Sequence, residues 1–79
     1  MVKKEIIFPY DLFGRNASLF VKEVNGIIQG SVYLSKSNRK INAKSLLGVL
    51  SLGVRQGEEI LLETKDDLEM SLLLKIIGK

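Results

Sequence analysis

The chain has 79 residues, of which 46% are hydrophobic and 27% are charged, the proportions of one ordinary globular domain over residues 1–79. It contains no cysteine, so disulfides and thiolate metal sites are excluded and packing must hold the fold together. It also contains no histidine and shows no spacing of metal ligands, so we expect neither a metal nor a cofactor. The net charge of +3 is a small surplus, typical of a solvated surface.

No segment reaches the ~18 apolar residues that can span a bilayer, and the uncharged run at residues 6–10 is too short for the core of a signal peptide. The lack of cysteine suits a reducing compartment. We therefore expect a cytoplasmic protein without a membrane partner.

The first predicted element is a strand over residues 2–8, which are rich in β-branched and aromatic side chains and end at Pro9. A helix is predicted next, following Asn16, with Gly26 placed to stop it. Its apolar residues recur at helical spacing and share one face: Ala17, Phe20, Val21 and Val24.

Two short strands are predicted at residues 31–35 and 40–43, because apolar and polar residues alternate there. Ser37 and Asn38 between them suit a hairpin turn. Ser45 is a competent N-cap for a short second helix that ends before Gly53.

A fourth strand is predicted at residues 59–64, and Asp66 or Asp67 can cap a last helix. The order is therefore β-α-β-β-α-β-α. It predicts an α+β open-faced sandwich: a four-stranded antiparallel sheet with three helices on one face. The apolar residues of the last helix are Met70, Leu73, Leu74 and Ile77.

Residues 42–53 read Asn-Ala-Lys-Ser-Leu-Leu-Gly-Val-Leu-Ser-Leu-Gly. This segment closely resembles the regulatory-serine segment of the HPr family, the histidine-containing phosphocarriers of the bacterial sugar phosphotransferase system. The resemblance extends over essentially the whole chain, through the Val-Lys-Lys-Glu opening, the Asp-Leu-Phe-Gly-Arg-Asn-Ala segment at residues 11–17 and Gln-Gly at residues 56–57. It implies that the chain has the HPr fold and an HPr-like function, and that it is not an enzyme.

In that family the active-site loop reads Gly-Leu-His-Ala-Arg-Pro-Ala, and its histidine carries phosphate. Here Phe13 occupies the histidine position, Gly14 replaces the alanine and Asn16 the proline, while Arg15 and Ala17 keep the family identities. A phenyl ring cannot form a high-energy phosphoryl carrier as imidazole does. We therefore expect no catalytic residue and no phosphate transfer at this position.

Ser45 matches the regulatory serine that a dedicated HPr kinase phosphorylates in relatives from Gram-positive bacteria. There the phosphoprotein binds a catabolite-control transcription regulator. The catabolite-repression HPr-like proteins are similar in that they lack the histidine and keep the serine. The resemblance implies regulation at Ser45 and the same two partners, an HPr kinase/phosphorylase and the regulator, although N-capping alone also explains this serine.

The second helix is apolar on nearly every side, so some of its leucines must be exposed. Val49 and Leu52 are expected to be buried. The resemblance implies that the partner-binding residues are Phe13, Arg15, Leu46, Leu47 and Leu50. A solvated Arg15, and a Phe13 ring folded onto Leu12 or Leu47, are the simpler alternatives.

Two other functions compete with a regulatory protein-binding module. One is a small basic nucleic-acid-binding domain that uses Arg39, Lys40 and Lys44. The other is an enzyme, which the lack of histidine, cysteine and a convincing carboxylate pair disfavours. An HPr-like module with an unrelated client also stays open, and the sequence does not predict the oligomeric state.

Overall fold

The computed structural model describes residues 1–78 and has the predicted order of elements. The sheet order is β1-β4-β2-β3, and each neighbouring pair is antiparallel. The open-faced sandwich predicted from the sequence is therefore confirmed. The elements are β1 (Val2–Ile7), α1 (Gly14–Ile27), β2 (Tyr33–Lys36), β3 (Arg39–Asn42), α2 (Leu46–Leu52), β4 (Glu59–Thr64) and α3 (Asp67–Ile77).

The central strand β4 gives the sheet one buried face. Ile60 and Leu62 are fully buried, as their alternation predicted, whereas Leu61 between them points to the opposite face and is half-buried. Leu34 of β2 lies opposite Leu62 in the register, so the apolar side chains of neighbouring strands meet beneath the helices. The core is completed by residues from all three helices: Ala17, Phe20, Val24, Val49, Leu52, Met70, Leu73, Ile76 and Ile77.

The turns follow the expected chemistry. Ser37 and Asn38 both adopt positive φ, 48° and 67°, as a two-residue hairpin of the mirror-image type requires. Gly53 takes the left-handed conformation at φ 66° and ends α2. Asp66 is the residue that caps α3, because its side chain accepts a hydrogen bond from the Glu69 N–H at 2.9 Å.

Both predicted ends of α1 are wrong. The helix begins earlier, at Gly14 after an extended Phe13, and the Asn16 amide within its first turn donates to the Asp11 carbonyl at 3.0 Å. It passes through Gly26 and ends at Ile27, and the N–H of the C-cap residue Ile28 donates to the Val24 carbonyl. The Ile28 side chain is buried, so core packing in an extended conformation ends this helix and no left-handed glycine is needed.

The strand and α3 predictions need smaller corrections. The first three strands end or begin one or two residues away from the predicted bounds. In α3, Leu74 is only half-buried whereas Ile76 is buried. Glu69 is buried as well, and one of its carboxylate oxygens accepts the Gly30 N–H at 3.1 Å. Within the described residues, no helix is long and apolar enough to cross a bilayer.

Candidate functional site

Helices α1 and α2 lie antiparallel and form a common surface. Near the start of α2, the Asn25 side chain from the end of α1 donates to the Lys44 carbonyl at 3.0 Å. At the other end, Leu12, just before α1, donates its N–H to the carbonyl of Val54, just after α2, at 2.9 Å. Seven helical residues rise about 10 Å, so Ser45 and Phe13 lie at opposite ends of this surface.

Ser45 is held at the N-terminus of α2 in an extended conformation. Its hydroxyl accepts the Gly48 N–H at 3.1 Å, and its own N–H donates to the Asn42 carbonyl at 3.0 Å. The residue is exposed, and the first turn of α2 has no acidic side chain. A negative charge at this position would therefore meet the positive end of the helix dipole without a competing carboxylate on the helix.

The leucines of α2 divide as the sequence predicted. Val49 and Leu52 are buried, whereas Leu47 is 80% exposed and Leu46 and Leu50 are exposed by 39% and 37%. An ordinary protein surface exposes apolar side chains singly, whereas three exposed leucines lie close together on this short helix. We use the name α1–α2 surface for the residues Phe13, Arg15, Leu46, Leu47 and Leu50.

Phe13 occupies the other end of this surface. It is 37% exposed, and its ring faces the Arg55 guanidinium, whose central carbon lies 5.7 Å from the ring centroid. Arg15 is exposed in the first turn of α1, and no carboxylate within residues 1–78 forms an ion pair with it. Leu12 points inward and is fully buried. Sequence reasoning missed Arg55, because no local pattern signals a contact between these two loops.

The Arg55 loop is fixed by a carboxylate. Glu58 accepts the Arg55 N–H at 2.6 Å and the Lys36 ammonium at 3.1 Å. The Arg55 N–H, followed by the Lys36 ammonium, holds the pKa of the Glu58 carboxyl below its usual range. Lys36 also donates to the Gly53 carbonyl at the end of α2, which ties the loop, the hairpin and the helix together.

The basic residues considered for nucleic-acid binding are each engaged within the fold. Arg39 donates to the Ser51 carbonyl at 2.8 Å, and Lys44 donates to the Gln29 carbonyl at 3.1 Å. Lys40 contacts the Tyr33 ring and pairs with Glu63 at 3.3 Å, on the sheet face opposite the helices. These three cations therefore do not form one continuous basic stripe of the kind that binds nucleic acid. Within residues 1–78, no group of acidic side chains could hold a metal ion.

Comparison with known proteins identifies the family. The family model described as the phosphotransferase-system HPr component phosphorylation site matches residues 3–77. The chain belongs to the HPr family. It is a phosphocarrier-like protein of the phosphotransferase system, similar to relatives linked with carbon catabolite repression.

The HPr-like protein Crh of Bacillus subtilis is 38% identical over 94% of this chain and 86% of its own length. The crystal structure of the phosphocarrier HPr from Bacillus anthracis has a TM-score of 0.85 and 28% identity, with 98% of this chain and 93% of that chain covered. The crystal structure of B. subtilis Crh, described as a dimer with a swapped domain, has a TM-score of 0.69 at 37% identity and covers 96% and 86%. In the present structure, β1 pairs with β4 of the same chain.

Proposed function

We propose that this protein is a regulatory, protein-binding HPr-like module of carbon catabolite control that does not carry phosphate on a histidine. The proposal rests chiefly on one observation, that a chain of this family contains no histidine while its leucine-rich helix stays exposed. The proposed partner-binding residues are those of the α1–α2 surface. The proposed partners, inferred from the relatives, are an HPr kinase/phosphorylase and a catabolite-control transcription regulator, all in the cytoplasm.

Loss of phosphate transfer is the first part of the proposal. Incubation with phosphoenolpyruvate and the general phosphotransferase enzyme should leave the protein unlabelled, because Phe13 offers no nucleophile. A histidine-bearing HPr in the same reaction is the positive control. Acid-labile phosphate on the intact chain would contradict the proposal.

Restoring the histidine should not restore full transfer. In Phe13→His, the loop still has Gly14 at φ 50° and Asn16 in place of the family's proline. Glycine adds freedom to the loop, and a proline in the first turn would have restricted it. We expect labelling well below that of the control HPr, and labelling at the control rate would show that the loop is still preorganised.

Regulation at Ser45 is the second part. An HPr kinase with ATP should phosphorylate Ser45, whose hydroxyl is exposed at the start of α2. Ser51 in the same helix already donates to the Gly48 carbonyl and accepts from Arg39, so we expect no label there. Phosphopeptide mass spectrometry with Ser45→Ala as the control decides this. Label that persists in the variant, or none in the parent, would leave Ser45 as a cap alone.

The added phosphate should strengthen partner binding without refolding the domain. It carries about −1.5 to −2 charges at pH 7 and can accept hydrogen bonds from a partner's arginines beside the exposed leucines. The nucleic-acid alternative is disfavoured because Arg39, Lys40 and Lys44 are engaged within the fold. A salt titration against mixed oligonucleotides tests it, since binding to phosphates must weaken steeply with salt.

A further inference from the structure

We propose that Arg55, whose guanidinium lies over the Phe13 ring, determines partner specificity by receiving a carboxylate of the docked protein, an inference that rests on the proposed docking function. Arg55 lies outside the five residues assigned to the α1–α2 surface, yet its guanidinium carbon lies 5.7 Å from the centroid of the ring that stands in place of the phosphocarrier histidine. The partner is then a protein that presents an acidic side chain next to an apolar patch.

The position of Arg55 relative to Phe13 is fixed by hydrogen bonds between their two loops. The Leu12 N–H donates to the Val54 carbonyl at 2.9 Å, and the Gln56 N–H donates to the Asp11 carboxylate at 2.8 Å. These two bonds join the residues on either side of Arg55 to the two residues that precede Phe13. The backbone that carries Arg55 is therefore already ordered when a partner binds, which lowers the entropic cost of using this residue as a contact.

The hydrogen-bonding capacity of Arg55 is not used within the domain. Among residues 1–78, no ion pair and no hydrogen bond to the guanidinium is formed, although its charge contributes weakly to the low pKa of Glu58. A planar guanidinium with unused N–H groups can receive a carboxylate in a bidentate geometry.

The charges around the pair select an acidic partner. Neither α1 nor α2 has an acidic residue in its first turn, and Arg15 adds a second cation near Phe13 that forms no ion pair within residues 1–78. Two carboxylates of these loops are already engaged: Asp11 accepts the Gln56 N–H, and Glu58 accepts the Arg55 N–H and the Lys36 ammonium. An approaching carboxylate thus meets two arginines at one end of the surface and exposed leucines along the rest.

The test compares phosphorylation kinetics of the full chain by an HPr kinase. Arg55→Ala should raise the KM for the protein substrate about fivefold with kcat unchanged, the scale of one charge at an interface rim. Arg55→Lys should recover only part of the loss, because an ammonium cannot form the bidentate contact. The matched control is Lys65→Ala, which removes an exposed charge from the loop before α3 and should leave KM unchanged.

The salt dependence separates a charge contact from a structural role. In the parent, KM should rise with NaCl, and in Arg55→Ala this slope should be smaller. In Phe13→Leu, the effect of removing Arg55 should shrink, because the ring no longer orients the guanidinium. An unchanged KM in Arg55→Ala would overturn the inference and leave the docking proposal intact.

If the kinase modifies no variant, the Ser45 switch fails and a kinase-free titration decides the role of Arg55. The probe is a capped peptide of alternating glutamate and leucine, and its glutamine counterpart is the control. NMR of the arginine Nε–H groups should show a shift at Arg55 only with the glutamate peptide, and a weaker shift in Phe13→Leu. An equal response to both peptides, or none at Arg55, would refute the inference. A stronger response to a single-stranded oligonucleotide would show that Arg55 binds a nucleic-acid phosphate and not a carboxylate.

Discussion

The N-cap hydroxyl of Ser45 allows a quantitative test that connects stability with regulation. Ser45→Ala removes the acceptor of the Gly48 N–H, a bond of 3.1 Å at an exposed helix end where water can partly replace it. Caps of this kind contribute about 1 kcal/mol to the free energy of unfolding. For a domain of this size, such a loss lowers Tm by roughly 4–8 °C.

Ser45→Asp should behave differently, although it also removes the hydroxyl. Aspartate keeps a cap acceptor, and its charge meets the positive end of α2, whose first turn has no other acidic residue. The free energy of unfolding should therefore lie within about 0.5 kcal/mol of the parent. Urea denaturation followed by circular dichroism measures all variants.

The control for this comparison is Ser71→Ala, an exposed serine inside α3 with no capping role, which should be neutral or slightly stabilising. If the Asp and Ala variants at position 45 lose stability equally, the capping argument is wrong. The expectation that a phosphate is accepted there without unfolding α2 then fails with it.

Three further predictions concern the frame around the surface. Leu73→Ala, at a fully buried position, should lower the free energy of unfolding by about 3 kcal/mol in urea denaturation. Gly53→Ala should cost about 1 kcal/mol by the same measurement, because no atom lies near an added Cβ and only the positive φ opposes it. The pKa of the Glu58 carboxyl in the folded protein is lowered by the Arg55 N–H and then by Lys36. The stabilising effect of Glu58 is therefore present above its pKa in the unfolded chain and is lost as pH falls through its pKa in the folded protein. Lys36→Met should move that pKa upward in a ¹³C NMR titration, and an unchanged pKa would contradict the assignment to Lys36.

Much of the fold was predictable because its signals are local. Helical spacing, two-residue turns and caps depend on residues within four positions of each other, and Ser37, Asn38, Ser45, Gly53 and Asp66 all act as their residue types indicate. The lack of histidine also follows directly from the sequence. The ends of α1 were not predictable, because burial of Ile28 at its exit overrides the glycine signal.

The tertiary structure alone decided what surrounds Phe13. The Asp11 and Gln56 loops are 45 residues apart in the chain, and only the folded sheet and helices bring them within hydrogen-bonding distance. The position of Arg55 over the Phe13 ring follows from that contact, and the place of β4 between β1 and β2 is likewise a long-range feature. Such contacts depend on how distant elements pack, and periodicity describes only residues that are neighbours along one element. The sequence therefore determined that this family member has no phosphate-carrying histidine, and the packing of two loops determined that Arg55 lies over the residue in its place.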